Sequence, residues 1–555
     1  MAQNKKKQYS RDVQPKGEST TKRKGGRNNR GPVHDSIKSS SYEGLKGNEM
    51  QDYAKKFAVS NDPAWYASDP TLARDAASIP FSWATGTQTD LHSALNAVAV
   101  PGRSPSKFTV PGIMVLGLTP TVGQALAPTD PINVAATAVY SFVRHQNSGS
   151  ANYDAPDLMI YILAMADFIA MYNHCVRLYG IASLYSSRNR YVPDALLKGL
   201  RVDPDDLRAN LANFRYYLNL IANKASSLAV PSTMSYFKRK AFLYSGVYTE
   251  GTSAKDQLYV YKPDSYYKLS FDSDGAFSLR RTVYDLPDGE PHTVASLIQL
   301  LSGMLDPMIQ NEDINIMSGD ILKAYGESGV LKFGRVEENY SVLPVFDIGV
   351  LEQMKNVTIL PHVGVLDSDI TQSSDKGYLI SNSTIAFSPS MARERIAGWA
   401  PCEDRILVTT TAMVDPSLVL ENTRIMLGLK LDDPKTHIIV HGCTEACSTI
   451  NIVFLNTDGS ISTTSINQYL LHESETSSSD VVNADVAASE VQFSRASAFR
   501  FRPFMAIVSY ISSQSGVSAI RRSFDYDNYA ILTDADLQRM HEACLLNMLY
   551  VPSIG

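Results

Sequence analysis

The sequence predicts a large, helix-rich α+β protein preceded by a disordered basic arm. Three observations predict it. Residues 1–30 hold ten lysines and arginines against two acids, set among Gly, Ser and Asn with almost nothing apolar. Between about 130 and 230, runs opened by Asp-Pro carry apolar residues at spacings of three and four, the period of a helix with one buried face. From about 340 onward, short β-like runs recur between turn residues.

Residues 1–50 form the arm. From Met1 to Ser40 the apolar residues are only Met1, Ala2, Tyr9, Val13, Val33 and Ile37. Such a stretch cannot bury enough surface to offset the entropy of ordering it. The whole chain carries −6, but ten bases less two acids give residues 1–30 a charge of +8, which leaves −14 for the other 525 residues. Such segregation of charge points to a tail with its own partner. The candidate polyanion-binding residues are Lys5, Lys6, Lys7, Arg11, Lys16, Lys22, Arg23, Lys24, Arg27 and Arg30. Cations without a fold cannot read base edges, which requires side chains held in a groove. They can neutralise phosphates and release counterions. A solvated tail without a partner and a nuclear-localisation signal are the competing readings, the second because "TKRKGGRNNR" clusters its charges.

No apolar stretch follows the early lysines, so a secretory signal is not expected, and acids without an amphipathic face argue against a transit peptide. Order is expected from about residue 51, where "KKFAVSNDPAWYASDPTLARDAASIPFSW" places two of the three tryptophans between Asp-Pro breaks. An extended run, "GIMVLGLTP", follows at 112–120. Asp130-Pro131 supplies a cap and a first-turn proline for the next helix. Asp154 opens a long one through about Tyr179, closed by Gly180. Within it, "LMIYILAMADFIAMY" is broken by Asp167 and followed by His174 and Arg177 before the roughly 18 apolar residues that a membrane span needs, so a buried core helix is expected. Asp203-Pro204 opens a third helix, with Leu207, Leu211, Phe214, Leu218, Ile221, Ala225 and Leu228 on one stripe. That stripe could serve the core or a subunit contact.

Residues 51–230 therefore read as one helical part. Residues 231–290 read as a β-rich insertion, aromatic and alternating, with a hairpin turn at Asp274-Gly275. Residues 291–555 read as a mixed α/β remainder. It begins with helices over "TVASLIQLLSGML" and around "SGDILKAYG". It ends with one opened at Thr533 by a capping box with Asp536, presenting Leu537, Met540 and Cys544.

Catalytic signatures are missing. No phosphate loop, dinucleotide fingerprint, nucleophile elbow or His-Glu-x-x-His occurs. The lone Asp320 of "SGDIL" reads as a helix cap, and Asp205/Asp206 and Asp432/Asp433 sit at first-turn or loop positions. His437, His441, Cys443 and Cys447 include zinc-ligand types, yet four residues along a strand span roughly 13 Å, too far for His437 and His441 to share one ion. No metal and no cofactor are expected. Five cysteines, an odd number, suit reduced thiols. Further basic spots occur at Lys238-Arg239-Lys240, Arg280-Arg281, Arg500/Arg502 and Arg521-Arg522. Arginines beside aromatics can stack on bases, or simply line the solvated face of a strand.

The segment "NDPAWYASDPTLARDAASIPFSW" and the later "MSGDILKAYGESGVLKFGRV…VLPVFD" resemble picobirnavirus capsid proteins, with "DPAWY…RDAASIPF" and "SGDILKAYG" the most specific parts. The resemblance implies a non-enveloped icosahedral shell of intertwined dimers enclosing segmented double-stranded RNA. It implies a helical shell domain and a smaller β-containing projecting region, to which 231–290 is a candidate contributor. It also implies an N-terminal region that can face the RNA, and, in some members, proteolytic loss of an N-terminal peptide. The expected partners are further copies of the chain and viral RNA, bound without regard to sequence. No small-molecule substrate and no transmembrane segment are expected, and the location is the virion, assembled in the host cytoplasm. The alternative function is a non-assembling RNA-binding nucleoprotein coating a genome. An enzyme with an unrecognised site is a third.

Overall fold

The computed structural model describes Pro70 and its neighbours over 69–79, Thr85, the short pair at 89–90 and 107–108, and 111–552 except for brief stretches, the longest being 185–190, 387–403, 474–491, 511–516 and 524–527. The chain divides into two compact units, residues 1–81 and 82–555. In the first, α1 (Pro70–Ala77) is opened by Asp69, whose carboxylate accepts from the Thr71 backbone N–H at 2.9 Å.

The second unit begins with β1 (Thr89–Asp90), β2 (Lys107–Phe108) and β3 (Ile113–Pro120). Six helices follow: α2 (Pro131–Gln146), α3 (Ala155–Ala182), α4 (Val192–Gly199), α5 (Pro204–Ala209), α6 (Leu211–Ala225) and α7 (Ser235–Leu243). Next come β4 (Tyr248–Thr249), β5 (Leu258–Pro263), β6 (Ser265–Phe271) and β7 (Phe277–Val283), then α8 (Val294–Gln310), α9 (Glu312–Tyr325) and α10 (Ile348–Lys355). Short strands β8 (Leu366–Asp367), β9 (Ile370–Gln372), β10 (Leu379–Ser381), β11 (Thr384–Ala386) and β12 (Asp404–Thr409) precede α11 (Pro416–Asn422). The rest comprises β13 (Gly428–Leu431), β14 (His437–His441), β15 (Glu445–Leu455), β16 (Ile461–Ile466), β17 (Tyr469–Glu473), β18 (Met505–Tyr510), β19 (Val517–Ser523), β20 (Asn528–Thr533) and α12 (Asp534–Met548). This is an α+β fold, as the sequence predicts.

At its centre is a five-stranded sheet in the order β16-β15-β3-β5-β4. β3 is buried along its whole length, as a strand covered on both faces must be, and it pairs antiparallel with β15 and parallel with β5. A parallel neighbour demands a crossover, and here it carries α2 to α7. The stretch 231–290, aromatic and alternating, therefore sends β5 into the interior of the central sheet. It sends the β6–β7 hairpin to a second sheet, β10-β9-β7-β6, packed against α3. Gly275 makes the hairpin turn at φ +85°, while Asp274 lies outside the described residues.

α3 is the hub. It is apolar on nearly every side, and it is long and apolar enough by length and composition to cross a membrane, yet 89% of its most apolar window is buried inside the protein. Gly180 does not end it, contrary to the sequence reading, because the helix runs on to Ala182. A Cβ at Gly180 would lie 2.6 Å from Val342 Cγ2 and 3.0 Å from the Val342 backbone nitrogen, so close approach of another segment is what requires the glycine. The third predicted helix is broken at Asn210 into α5 and α6, and its stripe is core: Leu207, Phe214, Leu218, Ile221, Ala225 and Leu228 are buried, with Leu211 half-buried. Asp130 stands at the N-cap of α2, but its carboxylate accepts from the Leu126 and Ala127 N–H groups of the preceding turn instead. "SVLPVFDI", the first of the β-like runs after about 340, is an extended strap with one bridge to β4 before α10 starts at Ile348.

Candidate functional site

Several charged side chains of the described residues are buried inside the fold. Asp167, in mid-α3, would be costly without a partner; Lys240 Nζ on α7 lies 2.9 Å from Asp167 Oδ1, and the Tyr267 N–H donates to Oδ2 at 2.7 Å. Beside it, Arg239 donates through Nε to Glu445 Oε1 at 2.8 Å and through both Nη atoms to Gln353 Oε1 at 3.1 Å. Burial pushes the Glu445 carboxyl up, but the Arg239 and Lys240 charges outweigh it and hold the group below its ordinary value. Together these pairs pin α7 to α3, α10 and β15.

A second cluster lies further along α3. The fully buried Arg177 guanidinium donates to the Tyr261 carbonyl at 2.8 Å, the Gly246 carbonyl at 3.2 Å and His174 Nδ1 at 2.9 Å. Burial lowers the Arg177 pKa to about 10. Burial and the neighbouring Arg177 charge keep His174 neutral, well below its ordinary value. Since Nδ1 accepts, the proton sits on Nε2 and is donated to Tyr284 Oη at 3.0 Å. Lys262 in turn lies 2.8 Å from Asp285 and 3.2 Å from Asp264.

The ten arm residues, Lys5 to Arg30, lie outside the described residues. Of the other basic spots, the side chains of Arg521 and Arg522 lie outside the described residues, and several of the rest are engaged within the fold. Of Lys238-Arg239-Lys240, only Lys238 is exposed. Arg280 pairs with Asp272 at 2.6 Å and Asp369 at 3.1 Å. Arg500 lies over the Phe501 ring and Arg502 over the Phe493 ring. Alternation in "FRFR" thus reflects packing within the chain. Three of the four zinc-type residues have separate engagements, and His441 lines a cavity. His437 Nδ1 is bonded to Asp432 and Thr436, Cys443 Sγ accepts from Arg424 Nη1 at 3.2 Å, and Cys447 is buried in the sheet core. Asp320 is not a cap. It lies inside α9, which Asn311 caps, and accepts from Tyr153 Oη at 2.7 Å and Arg144 Nη1 at 3.2 Å, tying α9 to α2. Asp206 Oδ2 accepts from the Val294 N–H at 2.7 Å and so fixes the start of α8.

A cavity of about 240 Å³ lies where α12 meets the β14 end, lined by residues that include Gly123, Asp130, His441, Gln538, His541 and Glu542. His541 donates through Nε2 to the Met426 carbonyl at 2.9 Å, and its buried Nδ1 has no hydrogen-bond partner among the described residues. No group of three metal-ligating side chains occurs among the described residues.

The family model described as "Picobirnavirus, Capsid protein" matches residues 65–477, well over half of the chain. The chain belongs to the picobirnavirus capsid protein family. Members are structural proteins of the virion, so this capsid protein is not an enzyme. A capsid protein precursor of Human picobirnavirus is 28% identical over 540 residues, spanning 90% of this chain and 92% of that one. The crystal structure of the picobirnavirus capsid shares the fold, with a TM-score of 0.71 and 23% identity, over 88% of this chain and 98% of that one.

Proposed function

We propose that this capsid protein assembles through dimers into a closed, icosahedral, non-enveloped shell and packages segmented double-stranded RNA through residues 1–50. The observation that carries this is the segregation of charge: +8 in the first thirty residues against −14 in the remainder. The inward pairing of Arg239, Lys240 and Lys262 supports it, since these cations are committed to carboxylates of the wall. Double-stranded RNA offers phosphates and shape but a major groove that side chains cannot read, so a sequence-blind arm suits it. A nucleoprotein coat would need cations along a folded groove, which the inward-turned "FKRK" does not supply. Residues 51–230 are proposed as the helical part of the shell. The β-rich stretch 231–290 is proposed as a contributor to the projecting region, and 291–555 as the remainder of shell and projection. Assembly is placed in the host cytoplasm.

The test compares the full chain with residues 46–555, each expressed alone, by negative-stain microscopy and the 260/280 nm absorbance of purified particles. Both should form uniform shells, and only the full chain should retain RNA. Equal RNA in the truncated shells would overturn the arm's role, and filaments on RNA would favour the nucleoprotein.

A further inference from the structure

The outer face of α6 and the strap at 343–348 are too apolar for a surface that stays in water. On the strap, Leu343 is 64% exposed, Val345 56%, Phe346 48% and Ile348 40%. On α6, the face opposite the buried stripe shows Tyr216 at 64%, Tyr217 at 41% and Leu220 at 39%, where a surface helix would place charges. The lysine closing that face, Lys224, is tied to Asp306 at 3.3 Å.

The two features belong to one segment's path. The segment starts on α6, where the Val336 N–H donates to Asn219 Oδ1 at 2.8 Å, beside Tyr216 and Leu220 on the helix surface. It crosses the end of α3, with the Tyr179 hydroxyl donating to the Glu338 carbonyl at 2.8 Å and the Val342 N–H to the Gly180 carbonyl at 3.2 Å. It then docks on β4, where the Val345 N–H donates to the Val247 carbonyl and the Val345 carbonyl accepts from the Thr249 N–H, both at 3.0 Å. Asp347 caps α10. The backbone is thus pinned while the side chains point out.

We infer that this face is a contact with a second copy of the chain. With roughly 150–250 Å² for a fully exposed large aromatic side chain and somewhat less for an aliphatic one, the seven side chains expose on the order of 700 Å². That approaches the ~800 Å² per partner of a standard interface. None of the seven side chains is charged, as at an interface centre, and the exposed Glu337 and Glu338 between the two patches suit its polar rim. The inference rests on the proposed assembly and names the surface used.

Hydroxyl-radical footprinting of the full chain before and after assembly tests it. Oxidation of Tyr216, Tyr217 and Phe346 should fall several-fold in shells. The Leu343→Asp/Phe346→Asp variant should keep the wild-type circular dichroism and melting temperature yet sediment as unassembled subunits. Full oxidation in intact shells, or wild-type shell yield from the variant, would overturn the contact alone. Protection already present in dilute unassembled subunits would assign the face to the chain's own residues and equally overturn it. Failure of the wild-type chain to form shells would overturn the assembly reading beneath it.

Discussion

Lys240 and Asp167 show what a single buried charge commits a chain to. Both are almost wholly buried, so their mutual attraction mainly offsets what desolvation costs each. Replacing one partner strands the other. Lys240→Met is therefore expected to lower the stability of the unassembled subunit by about 3–5 kcal/mol, and Asp167→Leu/Lys240→Met to recover a large part of it. Urea titration of the three proteins measures both. His541 sets a pH dependence. Burial and the Arg424 charge hold its pKa at about 3, below the ordinary histidine value, so the unfolded chain takes up the proton first. Its contribution is complete above about pH 6.5 and is lost progressively as the pH falls towards the folded value. Melting temperatures recorded from pH 7 to pH 4 should decline, and less steeply in His541→Gln. His174, His292 and His441, also lowered first by burial, supply the remaining slope. Neither residue was legible beforehand. "FKRK" resembles a phosphate patch until Asp167 and Glu445 arrive from distant parts of the chain, and nothing local marks His541 as buried.

At the scale of elements, local chemistry was legible wherever it acts within a few residues. The Thr533–Asp536 capping box, the Asp-Pro helix starts and the stripe from Leu207 to Leu228 are found in the folded chain. What failed were readings that depend on a distant neighbour. Gly180 resembles a helix terminator, but its bare Cα is needed because the strap crosses there. "SVLPVFDI" alternates like a strand, yet β4 offers it only two residues of edge. Gly180→Ala should accordingly leave α3 intact and push Val342 outward, at a cost of about 1–3 kcal/mol as overpacking. Hydrogen exchange would show faster exchange at the Val342 and Val345 amides, with the α3 amides unchanged. Faster exchange along α3 as well would mean that the glycine acts through the helix rather than through the strap seat.

For the molecule as a whole, the proposed function turns on the segregation of charge, +8 in residues 1–30 against −14 in the remainder. The family was legible in two short segments, whereas the interior place of β5 was not, because a parallel pair joins strands separated by six helices. If the leader acts by counterion release, its effect depends on the number of charges and not on their order. Contacts to about 6–10 phosphates should make binding fall roughly 10³–10⁵-fold between 50 and 200 mM salt. Two full-length variants separate charge from sequence. One permutes residues 1–30 at constant composition, and the other replaces the ten lysines and arginines with glutamine. The permuted chain should package as much RNA as the wild type with the same salt dependence, because phosphate contacts carry no register. The neutral chain should yield shells of normal diameter with little RNA. A permuted leader that loses RNA would mean that the order of its residues is read, by a fold acquired on binding or by a specific site on the genome. Shells of the neutral chain that still fill would move the RNA contact to the wall.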